Sequence, residues 1–343
     1  MKCVVRPFAK SGLMPAMAFI LTVGLAATAA AQIGRQTREH TVLQSAGLNR
    51  QPATSQPPAP NAVTIEVVDG QRIITANGIP DHLIGTFPNS GNPNAVRPQS
   101  HRYVLNANPV ETANRVEARG RAFGVAVNGV VFDPGAAEWF KGERGPWQYE
   151  PLSGAVPLGV DANNAHVQPD GSYHYHGLPV GLLNQLGVSR DKHSPLVGWA
   201  ADGFPIYAQY GHVNPQDAAS PIIEHRSGYV LKEGAREAVA GQRLRSETPT
   251  GFYDGTFVAD YTYVPGHGTL DECNGIVTVT PEFPEGTYAY FLTTDWPVIP
   301  RCFASSPSKD FAKGPGNRGA RPGGRPSGGG PGGGRPGGPP PQR

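Results

Sequence analysis

The sequence predicts an all-β domain, an antiparallel sandwich or barrel-like arrangement with few short helices, flanked by disordered termini. Three observations lead there. Short runs of β-branched and aromatic residues recur along the chain, Gly- and Pro-containing turns separate them, and helical periodicity is sparse. The 343 residues include 45 Gly and 36 Pro, enough to punctuate many short strands.

Taken in order, Val63 to Val68 and Gln71 to Thr75 flank Asp69-Gly70, a two-residue hairpin turn. His101 to Leu105 reads as a strand. Phe123 to Val127 and Val130 to Phe132 flank Asn128-Gly129, a second two-residue turn. Gly228 to Leu231, Asp260 to Val264, Ile276 to Thr280 and Thr287 to Thr293 complete the strand candidates. Three segments read as short helices: Pro109 to Arg119, Ala136 to Lys141 and Val180 to Gly187.

The ends differ in composition from this core. Lys2, Arg6 and Lys10 precede an apolar run from Leu13 to Ala27, and Ala29-Ala30-Ala31 offers a small-residue cleavage site. Residues 1–31 therefore read as an export signal, and the mature protein as periplasmic or secreted. No later apolar run has the length of a transmembrane segment. A Gln/Pro/Ala-rich stretch, 32–62, reads as a disordered linker, 63–303 as the folded domain, and 304–343 as a disordered tail. From Gly314 on, the tail is mostly Gly and Pro with five arginines and no acid. It solubilises by default, and its charge also suits contact with anionic cell-surface polymer. The net charge is +2, with the excess base in the signal and tail, so a nucleic-acid-binding core is not expected. Cleavage of the signal leaves Cys273 and Cys302, which outside the cytoplasm read as a disulfide.

The richest segment runs from Ala165 to Gly177. Gln168-Pro169-Asp170-Gly171-Ser172 is a turn: Pro169 is preset for its first corner and Gly171 tolerates the left-handed residue that closes a three-residue hairpin. Pairing Gln168 with Ser172 sets Val167 opposite Tyr173, His166 opposite His174, and Asn164 opposite His176. Side chains alternate across a strand, so His166, His174 and His176 converge on one face. Three imidazoles suit one Cu(II) or Zn(II) and leave a position open for water or substrate, with Cu(II) slightly favoured by the affinity order. The bland reading is histidines packed structurally against aromatics. A third imidazole, delivered by turn chemistry, favours ligation, with metal lost as pH falls below the ordinary histidine value of ~6.5.

Tyr173-His174-Tyr175-His176 resembles the motif that gives the YHYH-domain proteins, a family of exported proteins, their name. The likeness extends through His193 to Tyr207, Leu270 to Gly275 and Gly286 to Thr293. That family's activity is poorly defined, so the resemblance implies little mechanism. Many members carry a second His-bearing copy where this chain has Tyr288-Ala289-Tyr290-Phe291. Here Gly286 to Phe291 repeats the Gly-hydroxyl-Tyr-x-Tyr pattern of Gly171 to His176 without its histidines.

His193 is the fourth candidate ligand, or a group supporting the ligands. Asp202 either orients an imidazole or serves its turn before Gly203. Asp161, Asn163 and Asn164, like Asp271, Glu272 and Asn274, offer oxygens for Ca(II) but match no EF-hand and read chiefly as capped turns. A Gly-x-Ser-x-Gly elbow, a His-Glu-x-x-His helix and a phosphate-binding loop are all missing. Two functions are therefore expected. The first is an exported metal-binding protein with Lewis-acid or redox potential. The other is a non-catalytic extracytoplasmic module that binds carbohydrate or protein through Trp139, Trp147, Trp199 and Trp296.

Overall fold

The computed structural model describes residues 48–239 and 247–313. The signal and the tail from 314 on lie outside them. Strands dominate, as the alternation predicts. A three-stranded antiparallel sheet is built from β1 (Val63–Val68), β2 (Gln71–Ala76) and β3 (His101–Asn106). Asp69 and Gly70 both adopt positive φ, 50° and 72°, which makes the first hairpin turn the two-residue kind expected. Next come β4 (Val116–Glu117), β5 (Gly124–Ala126) and β6 (Val131–Phe132). Their turn holds three residues, because the Ala126 amide bonds to the Val130 carbonyl at 2.8 Å and only Gly129 is left-handed.

The site-bearing pair is β7 (Ala165–Val167) and β8 (Tyr173–Tyr175), followed by the short helix α1 (Val180–Gln185). After it come β9 (Leu196–Ala200), β10 (Pro205–Tyr207), β11 (Tyr210–His212), β12 (Ile222–Glu224), β13 (Tyr229–Leu231) and β14 (Tyr261–Tyr263). The last strands are β15 (Gly275–Thr278), β16 (Thr287–Phe291) and β17 (Cys302–Phe303). Eight of them form one sheet in the order β15-β16-β10-β9-β5-β6-β8-β7. Its pairings are antiparallel except β6 with β8 and β10 with β16.

That order reads alike from either end, and the likeness extends to individual contacts. Each half has a hairpin whose second strand lies parallel to a strand from another hairpin, and β5 meets β9 at the centre. In one half Asn164 is left-handed at φ 55° and the Tyr173 hydroxyl donates to Asp161 Oδ2 at 2.7 Å. In the other Asn274 has φ 53° and the Tyr288 hydroxyl donates to Asp271 Oδ2 at 2.8 Å. The His176 amide bonds to the Asn164 carbonyl, and the Phe291 amide to the Asn274 carbonyl. The domain is an internal duplication. Ile276, Ala289 and Phe291 occupy the places that His166, His174 and His176 hold in the first half.

Two expected helices do not form. Residues 109–119 are extended, because Thr112 and Ala118 donate backbone bonds to Ala304 and Arg301, and β4 pairs with β17. Pairing across the fold outweighs weak helical periodicity. Around Lys141 only a single 3-10 turn, Phe140–Gly142, is present. Order also extends past both expected limits of the domain. Before Val63, Gln51 donates to the Val160 carbonyl, Ser55 pairs with Ile84, and Asn61 Nδ2 reaches the Ile79 and Asn128 carbonyls. Gln51 and Ser55 hold this stretch through their backbone, and Asn61 through its side chain, rather than by burial. Beyond Phe303, Ala304 is fully buried and Phe311 stacks on Tyr103 at 4.4 Å. Cys273 and Cys302 form a disulfide with Cα atoms 5.0 Å apart, as expected.

Candidate metal centre

The hairpin has the register read from its turn: Val167 pairs with Tyr173, His166 with His174, and Ala165 with Tyr175. Gly171, at φ 92°, closes the turn by donating its amide to the Gln168 carbonyl at 2.8 Å. On the opposite face Tyr173 and Tyr175 are fully buried. Asn128 Nδ2 donates to the Tyr175 hydroxyl at 3.0 Å, and that hydroxyl reaches His82 Nε2 at 2.7 Å. These bonds anchor β8, which presents His174 between the two tyrosines on the opposite face.

His174 and His176 are 2 % and 3 % exposed, and His166 is half-buried. His176 Nε2 lies 3.1 Å from His174 Nε2 and 3.0 Å from His166 Nε2. Each Nδ1 faces a backbone carbonyl: His166 that of Leu158 at 2.9 Å, His174 that of Ser172 at 3.2 Å, and His176 that of Asp133 at 2.7 Å. A carbonyl can only accept, so each neutral ring carries its proton on Nδ1 and presents a bare lone pair at Nε2. Three lone pairs facing one another at this distance repel. Burial, the largest cause, lowers all three pKa values, His174 and His176 well below the ordinary range, so a shared proton is a poor remedy. A divalent ion with nitrogen at about 2.0–2.1 Å in tetrahedral geometry separates its ligands by ~3.3 Å. The apo spacing is a few tenths of an ångström short of that.

The three imidazoles line a cleft of about 1140 Å³ with Asp133, Glu138 and Trp139 among its other residues. The Asp133 carboxylate is paired with Lys313 at 2.6 Å, and its carbonyl holds His176. Glu138 keeps one buried carboxylate oxygen without a partner, and its charge acts on His166. None of these supporting groups was visible from the sequence. Three act through a main-chain carbonyl, which no residue identity encodes, and Glu138 reaches the site from a separate segment.

His193, the expected fourth ligand, is elsewhere. The Ser194 amide bonds to the Tyr210 carbonyl, which holds His193 beside His212 at 5.2 Å and Tyr207 at 5.0 Å. Its Nδ1 faces the Ser194 carbonyl at 2.7 Å. Among the described residues, only His166, His174 and His176 bring ligand atoms within 4.8 Å of one another. Asp202 is likewise remote from them, accepting from the Tyr290 hydroxyl at 2.6 Å and the Ser305 amide at 3.1 Å. Asp161 and Asp271 cap their own turns, taking the Asn163 and Cys273 amides respectively, both at 2.9 Å.

An all-β domain with a preorganised three-imidazole cradle opening on a cleft is the class these observations define. The chain belongs to the YHYH protein family, whose model matches residues 102–305. No curated protein and no solved structure matches it. Among the described residues no helix is long and apolar enough to cross a membrane.

Proposed function

We propose that this is an exported metal-binding protein, periplasmic or secreted, that holds one Cu(II) or Zn(II) on His166, His174 and His176. One observation carries the reading. Three Nε2 lone pairs converge, that of His176 lying 3.1 Å from His174 and 3.0 Å from His166, while every Nδ1 is committed to a carbonyl. Water bound among them could satisfy some lone pairs, but a divalent cation satisfies all three at once. The cleft leaves the ion's remaining position accessible, which suits Lewis-acid or redox chemistry on a bound molecule. Export rests on the basic-apolar-small pattern of residues 1–31 and accords with the disulfide. The alternative of a carbohydrate- or protein-binding surface built on tryptophans keeps only Trp139, which is half-buried in the cleft wall. Trp147, Trp199 and Trp296 are 2 %, 7 % and 9 % exposed and belong to the interior. Elemental analysis of the mature protein tests the reading: one Cu or Zn per chain is expected, and metal-free protein after equilibration with either ion overturns it.

A further inference from the structure

The cleft that the imidazoles line has a second chemical character. Some of its charges are matched. Lys313 is bound to Asp133 at 2.6 Å, Arg115 to Glu272 at 3.2 Å, and Arg301 to Glu150 at 2.5 Å. Arg119, Arg121 and Arg144 also line the cleft, and their guanidinium groups make no hydrogen bond or ion pair among the described residues. Arg119 lies over the Trp139 ring at 5.4 Å, which limits the directions its planar fork can face. Arg121 is connected to the site by short backbone and ion-pair steps. Arg121 pairs with Ala312, the Lys313 amide bonds to the Gly120 carbonyl, Lys313 binds Asp133, and the Asp133 carbonyl holds His176.

The acids of the cleft do not cancel these guanidiniums. Glu117 is exposed on β4, and the charge of Glu138 acts on His166, the side where a cation is proposed. A concave wall on which three guanidiniums stand without ion-pair partners against two such carboxylates keeps an excess of positive charge, which attracts anions. Its volume, about 1140 Å³, slightly exceeds the range for small-molecule clefts, roughly 300–1,000 Å³. We propose that this cleft binds a small organic oxyanion, its carboxylate or phosphate held by Arg119 and Arg121, with the remainder of the molecule directed at the imidazoles. The second contact rests on the metal reading above; the first does not. Guanidinium groups suit this ligand because their parallel N–H pairs match the two oxygens of a carboxylate or phosphate.

Terephthalate, a flat dianion that chelates metal poorly, is the probe, with its uncharged diamide as control. Calorimetric titrations are run on metal-loaded and metal-stripped protein, wild type and Arg119→Gln/Arg121→Gln, with metal content measured on every sample. The expected result is binding of the dianion to both wild-type forms and a loss of about tenfold or more in the double variant. Metal content should be the same in both proteins. Arginine-dependent binding in a wild type that takes up no metal sinks the metal reading and supports the anion site. Equal dianion affinity in wild type and variant overturns the anion site, as does equal affinity for the diamide or no binding to wild type at all.

Discussion

Replacing His174 by Ala is the sharpest test of the metal centre, because this imidazole faces His166 directly across the hairpin and approaches His176 at 3.1 Å. The substitution removes one of three ligands and leaves two lone pairs that no longer form a cradle. Structural zinc sites with four ligands bind with roughly 10–16 kcal/mol, or about 3 kcal/mol per ligand, so affinity should fall by ~10²-fold or more. Thermal unfolding converts this into a measurable difference. With free metal at ~100 times the wild-type dissociation constant, the ion stabilises the fold by about 2.7 kcal/mol. For a domain of this size that raises the melting temperature by roughly 5–10 °C. At the same metal concentration the variant sits near or below half-saturation, gains about 0.4 kcal/mol or less, and moves by only ~1 °C. Each protein is compared with its own metal-free form, since truncation also leaves a cavity. His193→Ala serves as a control and should behave as wild type, because His193 sits with His212 and Tyr207. Equal metal content in wild type and His174→Ala would refute the reasoning.

Metal-free protein should lose stability as pH falls. Burial lowers the His225 pKa to about 4 and those of His174 and His176 well below their ordinary 6.5. The unfolded chain takes up protons near 6.5 while the folded chain does not, so this stability is complete above 6.5 and drains away towards about 4. His225 alone accounts for something on the order of 3 kcal/mol. Denaturant titrations at pH 7.5, 5.5 and 4.5 should show the decline, and a flat profile would contradict it. By the same depression protons compete weakly for the imidazoles, so metal should be retained below pH 6.5, as dialysis at stepped pH will show. Truncation after Lys313 should leave the melting temperature unchanged, whereas truncation after Phe303 should lower it by several degrees. The longer cut removes buried Ala304 and Phe311 together with Asp310, whose carboxylate accepts the Val104 amide at 2.9 Å. Cys302→Ser should cost about 3 kcal/mol, given a sequence separation of 29 between the bridged cysteines, read as a lower denaturation midpoint.

The sequence made the hairpin legible because every determinant of its register is local. Pro169, Asp170 and Gly171 fix the turn, and the two-residue period then places each histidine. Strand positions at Val63, Gln71, His101 and Thr287 were readable on the same principle. What escaped was set by distant partners. β9 and β10 are brief and interrupted by Gly and Pro, and they exist as strands because β5 and β16 lie beside them, as β11 does because β12 pairs with it. His193 belonged to the motif-bearing stretch but not to the site, since the Tyr210 carbonyl, and nothing in the local pattern, decides where it goes. The echo between Gly171 to His176 and Gly286 to Phe291 was a correct trace of duplication. Its other half, Asp161 to Asn164 against Asp271 to Asn274, was hidden because the two runs share only an Asp and an Asn with matching backbone roles.

The duplication also bears on whether the histidines serve the fold or a ligand. If the scaffold needed imidazoles, its second copy should carry them. It does not: Ile276 pairs with Ala289 where His166 pairs with His174, and Phe291 stands in place of His176. That copy nonetheless keeps the left-handed Asn, the Asp–Tyr bond, the parallel strand and the buried tyrosine pair. An apolar trio therefore suffices for the structure. Three imidazoles with opposed lone pairs, two of them buried, are a worse solution to the packing problem, costing desolvation and repulsion that the second copy avoids. A bound cation would turn that cost into three coordinate bonds, and among the described residues only the first copy brings three such ligand atoms together.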